Sequence, residues 1–444
     1  MTEQQYIRYR KLKAFGSRIC FLLCRIFPID RKLVSVCTFE GKGGFGCNPK
    51  YVVQALHDKD PSVKFVWLVN PDVIAKKRFP DYIRKVPNTL WSRAYWLGRS
   101  AVWIDNYRKP YGTCKRKGQY YLNVNHYTIG IKCTGLWRGS GFSEMARLVS
   151  QSDSDMMDGL VIDSKWCEIV SPKGLLFDGP YLKSGAPRCD ILHGDRTKQK
   201  RKLREKHNLS EDARVVLFAP TFREGARDGK RSVYSEVWSI DFERLIRNLE
   251  NRFGGGWTIC TRVHPQLAAI FAKAQDHPDG DCSAAASGSS SEANSDGLPG
   301  NLHSRMFDES QADDLYEILA GCDAYITDYS SACFEAGFAG IPAFIYADDL
   351  QQYAKDRGNL MWNLASDPPD HIGNNKEITP QLDVVFPFPV AQNNDELERI
   401  VLNYDEEQYR QKLNDFFSKA GLVFTGHASE DLADLLLERM KAQR

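Results

Sequence analysis

The sequence has no run of about 18 apolar residues, the length that a membrane-spanning helix needs, and no signal peptide. We therefore expect no segment to span a membrane. Its 12 cysteines form no CxxC pair and no His–Cys cluster, which argues against a zinc site or a disulfide framework and fits a reduced, cytosolic compartment. The formal net charge is only +2, so the composition gives no reason to expect a nucleic-acid partner.

The sequence instead has the composition of an ordinary globular protein, and its 444 residues predict two or three domains. Strand and helix patterns alternate in two halves, and ligand-type motifs follow strands in both. This predicts an α/β protein with two Rossmann-like domains facing a cleft. We place these domains at 29–200 and 201–425, with separate helices at 1–28 and 426–444.

The most informative stretch covers Ala312–Leu360, whose pattern predicts helix, strand, loop, helix and strand in turn. Ser330 and Ser331 follow the strand predicted at Asp323–Thr327, and Pro342–Tyr346 predicts the next strand. Such a corner suits an anion, because the free N–H groups at the start of a helix attract negative charge. A role for Ser330 as a helix cap alone is equally compatible with these residues.

The same stretch carries a longer pattern. Residues 326–331 read I-T-D-Y-S-S, Pro342 and Tyr346 match P-x-x-x-Y, and Asp349 and Tyr353 match D-x-x-x-Y. The string closely resembles a motif of the CDP-glycerol glycerophosphotransferase family, the teichoic-acid glycerol and ribitol phosphate transferases and polymerases. Further segments resemble the family patterns G-x-P-R-x-D-x-L, A-P-T-x-R and R-x-H-P, at 185–192, 219–223 and 262–265.

The resemblance implies that the second half binds a cytidine diphosphate polyol. Thr221 can donate to a phosphate oxygen and Arg223 can pair with its charge. His264 follows the strand predicted at 257–263, and we expect it to contact the pyrophosphate. Asp328 is also expected among the donor-side residues, and a purely structural role is the alternative interpretation. The expected donor-side residues are Thr221, Arg223, Arg262, His264, Asp328, Ser330 and Ser331.

His126 is the expected general base. It follows the strand predicted at Tyr120–Val124, and ligands gather at the carboxyl ends of strands in open α/β sheets. Its surroundings resemble the family segment W-H-G-x-x-G-x-K, whose histidine is thought to be catalytic. Asn125 replaces the Trp of that pattern and Tyr127 replaces the Gly, so a tyrosine beside the base is expected to narrow the pocket.

The acceptor side is expected in the first half of the chain. A Gly-rich turn at 40–49 lies between a predicted strand and a predicted helix, where it suits close approach of a ligand. It lacks the spacing of a P-loop or of a dinucleotide fingerprint, and a plain tight turn is the alternative. The acceptor-side residues that we expect are Asn48, Tyr127 and Lys132.

Residues 6–28 predict a basic amphipathic helix. Leu12, Phe15, Ile19, Leu22, Leu23 and Ile26 share one face, and Lys11, Arg18 and Arg25 recur along its edge. Such a helix suits an anionic membrane interface. The alternative is a helix packed against its own domain.

Two segments lie outside the expected chemistry. Residues 276–301 form a Ser/Ala/Gly/Asp-rich tract that predicts a disordered surface insertion. Residues 395–417 and 429–441 predict amphipathic helices, and Asp431 stands where the family has an arginine.

The resemblance implies the GT-B fold. It also implies transfer of a polyol phosphate, most simply glycerol phosphate, from CDP-glycerol or CDP-ribitol. The acceptor is a hydroxyl of a lipid-linked or polymeric molecule, and CMP is released. We expect this at the inner face of the cell membrane, without a metal or another cofactor. A nucleotide-sugar glycosyltransferase and a non-catalytic CDP-polyol-binding protein are the alternatives.

Overall fold

The structure is a computed structural model, and it describes residues 2–127, 129–221, 224–227, 230–233, 239–263, 304–357, 360–365 and 379–442. Arg223, His264 and the tract at 276–301 lie outside these residues.

The first half of the chain builds a seven-stranded parallel sheet in the order β3-β2-β1-β4-β5-β6-β7. Its central strands are buried on both faces, as expected when helices cover a parallel sheet on each side. The strands are β1 Asp30–Cys37, β2 Lys64–Val69, β3 Ile83–Pro87, β4 Ser100–Asp105, β5 Tyr120–Asn123, β6 Gly159–Val161 and β7 Tyr181–Leu182.

The second half builds a six-stranded parallel sheet in the order β12-β11-β8-β13-β14-β15, and β9 and β10 form a small antiparallel pair. The α/β class with two parallel sheets is therefore confirmed. The strands are β8 Arg214–Phe218, β9 Glu224–Arg227, β10 Lys230–Val233, β11 Trp257–Thr261, β12 Met306–Asp308, β13 Ala324–Thr327, β14 Ala343–Tyr346 and β15 Val390–Ala391.

Helices connect most of these strands. They are α1 Glu3–Leu23, α2 Cys47–Lys59, α3 Leu90–Arg99, α4 Glu144–Ser154, α5 Lys165–Gly174, α6 Thr197–Lys206, α7 Phe242–Phe253, α8 Leu315–Gly321, α9 Ala332–Phe338, α10 Leu350–Arg357, α11 Thr379–Leu382, α12 Asn394–Leu402, α13 Glu406–Ala420 and α14 Ala428–Ala442. The single helix expected at 395–417 is wrong. Asp405 caps a new helix there, because its carboxylate accepts from the Gln408 backbone N–H at 2.8 Å.

The last helix, α14, returns to the first sheet. Leu432, Ala433 and Leu436 are buried in the same apolar cluster as Val34 of β1 and Val102 of β4. The chain therefore passes from the first half to the second and back again, and α14 is part of the apolar core of the first half.

A buried ion pair joins the two halves. Arg188 and Glu335 have no exposed side-chain surface, and the Arg188 Nε donates to Glu335 Oε1 at 3.1 Å. The Tyr316 hydroxyl donates to the other carboxylate oxygen. Beside this pair, Lys50 Nζ lies 2.7 Å from Asp314. Each buried charge is compensated by its partner in the other half, so the ion pair favours one relative position of the two halves.

The Gly-rich turn belongs to the same interface. A Cβ on Gly44 would lie 2.3 Å from the Asp313 carboxyl group, and one on Gly46 would lie 2.3 Å from the Asp313 backbone oxygen. The absence of a side chain at these glycines therefore lets the turn pack closely against Asp313 of the second half.

Helix α1 has an apolar face that is largely exposed in the described part of the chain. Its inner face, with Ala14, Cys20 and Phe21, is buried. The opposite face is exposed, and the exposed fraction is 71% for Leu12 and 61% for Phe15. Ile19, Leu22, Leu23 and Ile26 are exposed as well. The helix thus packs on its own domain with one side and presents an apolar strip with the other. Within the described residues, no helix is long and apolar enough to span a membrane.

Candidate active site between the two halves

A cavity of about 470 Å³ lies where the two halves meet. Residues after the carboxyl ends of β4 and β5 form one wall, and Thr221, Tyr353 and Leu360 of the second half close it. The halves also join directly here, because the Met361 N–H donates to the Ile131 oxygen at 2.8 Å. The volume lies in the range of about 300–1,000 Å³ that is usual for small-molecule sites.

His126 lines this cavity with a defined tautomer. Its Nδ1 lies 2.7 Å from the Asn106 carbonyl oxygen, which can only accept, so Nδ1 carries the hydrogen. In the neutral ring the lone pair is then on Nε2. Phe39, Tyr107 and Tyr127 surround the imidazole with ring centroids 5.3–5.6 Å away.

The charge state of His126 suits a base. Burial lowers its pKa to about 4, the nearby charges of Arg188, Lys132 and Arg108 also lower it, and the hydrogen bond to Asn106 opposes them. The imidazole is therefore neutral at neutral pH, which is the form in which Nε2 can accept a proton.

The backbone around His126 is held by asparagines. Asn125 adopts a φ of 55°, a left-handed conformation that asparagine tolerates better than most residues. Its side-chain oxygen accepts from the His126 N–H at 2.8 Å. Asn48 is buried behind this turn and does not line the cavity. Its amide donates to the Val124 oxygen at 2.6 Å and to the Asn125 oxygen at 3.1 Å, so it holds the turn that presents His126.

Tyr127 and Lys132 both line the cavity, on the same wall as His126. The Tyr127 ring stands edge-on to the imidazole at 5.4 Å, where it occupies space beside the base. Lys132 forms a β-bridge with Leu360, at the junction of the halves.

The second half contributes a rigid support for Thr221. Asp328, which is buried, accepts from the Thr221 N–H at 2.7 Å. Tyr329 stacks on Tyr353 at 3.8 Å and donates its hydroxyl to Asp349 at 2.9 Å. The aromatic and acidic members of the 326–353 pattern thus hold one another in place, and Tyr353 reaches the cavity wall.

Arg262, Ser330 and Ser331 lie close to the ends of β11 and β13, and none of the three is among the described residues that line the cavity. Ser330 Oγ accepts from the Ala332 N–H at 3.4 Å, while Ser331 is the N-cap of α9 without a capping side-chain bond. Arg262 follows β11 and donates to the Ala312 oxygen at 3.1 Å. Arg223 and His264 lie outside the described residues.

The sequence interpretation missed two cavity-lining arginines. Arg108 follows β4 in the run Asp105–Arg108, and polar residues at the carboxyl end of a buried strand were a usable signal. Arg138 lies in the 3₁₀ segment Gly135–Gly141, where no comparable pattern indicates a ligand. Among the described residues, no group of three or more His, Cys, Asp and Glu side chains is placed to hold a metal ion.

Comparison with known proteins assigns the family. Residues 19–385 match the family described as CDP-Glycerol:Poly(glycerophosphate) glycerophosphotransferase. The chain belongs to this family. The resemblance seen in the motifs is thereby confirmed, and so is the link to enzymes of teichoic acid biosynthesis.

The similar relatives include the teichoic acid poly(glycerol phosphate) polymerases of Staphylococcus epidermidis and Bacillus subtilis. They are 24% and 23% identical over 421 and 373 residues, which is 91% and 81% of this chain. The chain spans about half the length of these relatives, 51% and 44%. The structure of the wall teichoic acid polymerase TagF is 21% identical and overlays with a TM-score of 0.71, covering 100% of both chains. A variant of TagF has also been solved after a soak with CDPG.

Proposed function

We propose that this protein transfers a polyol phosphate, most simply glycerol phosphate, from a CDP-activated donor to an acceptor hydroxyl and releases CMP. The observation that carries the proposal is His126, a neutral imidazole with its Nε2 lone pair available in a cavity that both halves line. Family membership supports the donor class. The two parallel sheets and the cavity between them support the GT-B description of the fold.

In the proposed reaction, His126 Nε2 takes the proton of the acceptor hydroxyl. The oxygen of that hydroxyl attacks the β-phosphorus of the donor at the same time. A phosphorus–oxygen bond to the acceptor forms, and the bond between the β-phosphorus and the bridging pyrophosphate oxygen breaks. CMP leaves with that oxygen, and the imidazolium then returns its proton to solvent. Thr221, Arg223, His264, Ser330 and Ser331 are assigned to the donor phosphates. No metal or cofactor is part of the proposal.

The nucleotide product tests the reaction class. Wild-type protein is incubated with CDP-glycerol or CDP-ribitol and a phosphate-bearing acceptor, and nucleotides are separated by chromatography. CMP formation that depends on acceptor is expected. Turnover of a nucleotide sugar with release of a nucleoside diphosphate would identify a glycosyltransferase instead, and CDP-polyol binding without products would identify a binding protein.

The serine pair gives a prediction about donor binding. Ser330→Ala with Ser331→Ala is expected to weaken CDP-glycerol binding at least roughly tenfold, because hydrogen bonds to charged groups are stronger than neutral ones. Stability should fall by about 1 kcal/mol, the usual effect of a lost cap. Calorimetric titration and thermal melting measure the two effects.

The matched control is Ser143→Ala, which removes a side-chain cap from α4. It should lower stability without changing donor affinity. If the double serine variant behaves in the same way as this control, the pair only supports α9 and the donor assignment is wrong.

We also propose that α1 docks the protein peripherally on the inner face of the cell membrane, where a lipid-linked acceptor is presented. Its exposed apolar strip suits the headgroup boundary, and Lys11, Arg18 and Arg25 lie along the edge of that strip, where they can reach anionic headgroups.

The strip can be tested without removing the buried face of the helix. The triple variant Leu12→Ser, Phe15→Ser and Ile19→Ser is expected to weaken binding to anionic vesicles roughly a hundredfold or more, since each buried apolar side chain contributes about 1.5–3 kcal/mol. Added salt should weaken wild-type binding. The control is Leu402→Ser, an exposed leucine of α12. Equal vesicle sedimentation of the triple variant and wild type would contradict the proposal.

A further inference from the structure

We propose that Asp105 is a positioning residue for the base His126, and that it acts on the imidazole through a single peptide unit. This peptide unit joins Asn106 to Tyr107. Its carbonyl oxygen accepts the Nδ1 hydrogen of His126, and its N–H donates to the carboxylate of Asp105. The inference rests on the proposed function, because it concerns the residue that is assigned there as the base.

The position of the Asp105 carboxylate is fixed by two different donors. Asp105 is the last residue of β4 and is buried, and a charge out of water needs hydrogen-bond donors or an opposite charge. Its Oδ1 accepts from the Tyr107 N–H at 3.0 Å, and its Oδ2 accepts from Lys109 Nζ at 2.5 Å. The Lys109 side chain is itself buried and lies 5.2 Å from the centroid of the Tyr121 ring. Because each carboxylate oxygen has its own donor, the carboxylate holds the chain after β4 in one turn.

His126 binds the other end of the same peptide unit. Its Nδ1 lies 2.7 Å from the Asn106 carbonyl oxygen, while the N–H that follows this carbonyl is the one bound to Asp105. Hydrogen bonds that share a peptide unit polarise one another, and an anion at the N–H end increases the negative charge on the carbonyl oxygen. The carbonyl of Asn106 is therefore a stronger acceptor for His126 than a carbonyl without a carboxylate behind it.

The side chain of Asn106 anchors this peptide unit at a further point. Its Oδ1 accepts from the Phe39 N–H at 2.9 Å, and the Phe39 ring stands edge-on to the imidazole at 5.6 Å. The peptide unit is thus tied to the base, to Asp105 and to the loop after β1. These contacts present its carbonyl to His126 in one orientation, and so favour the tautomer that leaves the Nε2 lone pair free.

The carboxylate has a chemical role when His126 takes a proton on Nε2. The ring is then an imidazolium, and its hydrogen bond to Asn106 becomes stronger because the donor is charged. An aspartate bound directly to the second ring nitrogen of a catalytic histidine fixes the tautomer and stabilises the imidazolium. Here one peptide unit lies between the two groups, so the carboxylate acts through charge and position and takes no proton. Burial and three nearby cations oppose protonation of His126, and Asp105 offsets part of this effect.

A purely structural role for Asp105 is the alternative, and a neighbouring carboxyl group separates the two interpretations. Asp153 of α4 supports the same loop, because its Oδ1 accepts from the Lys109 N–H at 2.9 Å and from the Tyr121 hydroxyl at 3.0 Å. In the described part of the chain, none of these bonds is to the peptide unit that binds His126. Asp153→Asn is therefore the matched control, since support of the loop alone predicts similar effects for Asp105→Asn and Asp153→Asn.

The first measurement follows the Nδ1 proton of His126 by NMR, in the full chain with isotope-labelled histidine at neutral pH and without substrates. Its signal is assigned by its loss in His126→Ala. Wild type is expected to show it far downfield, because the hydrogen bond is short. In Asp105→Asn the signal should move upfield and exchange with water at least roughly tenfold faster, because a neutral amide polarises the peptide unit less than a carboxylate. Asp153→Asn should leave it unchanged.

A second variant covers the case in which Asp105→Asn does not fold. Asp105→Asn combined with Lys109→Met removes both members of the buried ion pair, so no charge is left buried without its partner. The Nδ1 signal of this double variant should change in the same direction as that of Asp105→Asn, because it also lacks the carboxylate.

The second measurement is kinetic. With CDP-glycerol and a phosphate-bearing acceptor, kcat for CMP release should fall roughly tenfold to a hundredfold in the double variant, the effect that loss of a hydrogen-bond partner behind a metal-binding histidine has. The affinity for CDP-glycerol, measured by calorimetric titration, should remain that of wild type, because His126 is assigned to the acceptor. Asp153→Asn should keep the kcat of wild type.

The outcomes separate this inference from the proposed function. An unchanged Nδ1 signal in the folded Asp105 variants, or an equal change in Asp153→Asn, would overturn the positioning role. An Nδ1 signal that depends on Asp105, in a protein that releases no CMP, would support the positioning role and contradict the transfer reaction. CMP release by wild type with the same kcat in the double variant would support the transfer reaction and overturn the positioning role.

Discussion

Replacement of His126 by alanine is expected to slow CMP release by roughly 10²–10⁴-fold, the usual effect of losing a general base. CDP-glycerol should still bind with unchanged affinity, because His126 lies on the wall formed by the first half and is assigned to the acceptor hydroxyl. Steady-state kinetics and calorimetric titration measure the two quantities. His427→Ala is the control, since His427 is exposed and pairs with Asp431 away from the cavity.

The pH profile follows from the same residue. A base works in its unprotonated form, and the pKa of His126 is lowered to about 4. In the wild type, kcat/KM for CMP release should therefore stay level from roughly pH 8 to pH 5 and fall as the pH approaches this value. Near-normal CMP release by His126→Ala would contradict the assignment of the base. A profile that falls near the ordinary histidine pKa of about 6.5 would contradict the lowered pKa of His126.

The second large effect is expected at the interface of the halves. Glu335→Leu should lower the free energy of unfolding by about 3–5 kcal/mol, because it leaves Arg188 charged and buried without its partner. The double variant Arg188→Met with Glu335→Leu should recover most of that loss, since an apolar pair of similar volume replaces the ion pair. Urea denaturation of the full chain measures the changes.

An exposed ion pair provides the control for this experiment. Removing the contact between Arg147 and Glu144 should change stability by about 1 kcal/mol or less. A Glu335→Leu variant as stable as this control would show that the buried pair does not hold the halves together.

The strands were the most predictable part of the fold. The strand predicted at Tyr120–Val124 differs from β5 by one residue at its end, and the strands expected at 323–327 and 342–346 differ from β13 and β14 by one residue at the start. These are short apolar β-prone runs bounded by turn residues, for which local pattern decides the structure. The break between α12 and α13 was missed because Asp405 acts as a cap inside a continuous amphipathic pattern.

Part of the candidate site was predicted from residues that follow strands, and Tyr127 and Lys132, expected on the acceptor side, line the cavity as well. His126 and Thr221 were found because they follow strands, and both line the cavity. Asn48 was expected to face the acceptor, but its amide holds the turn around Asn125, a contact that arises from tertiary packing. That Arg108 and Arg138 line the same cavity could not be foreseen, because tertiary packing and not a local pattern brings the loop after β4 and the segment Gly135–Gly141 together.

The central claim is the transfer of an intact polyol phosphate, and phosphorus NMR tests it most directly. Wild-type protein is followed with CDP-glycerol and a phosphate-bearing acceptor. The account predicts that the pyrophosphate signals disappear and that one phosphodiester and one CMP phosphomonoester appear in equal amounts. Persistence of a pyrophosphate signal as CDP, with no new phosphodiester, would contradict it.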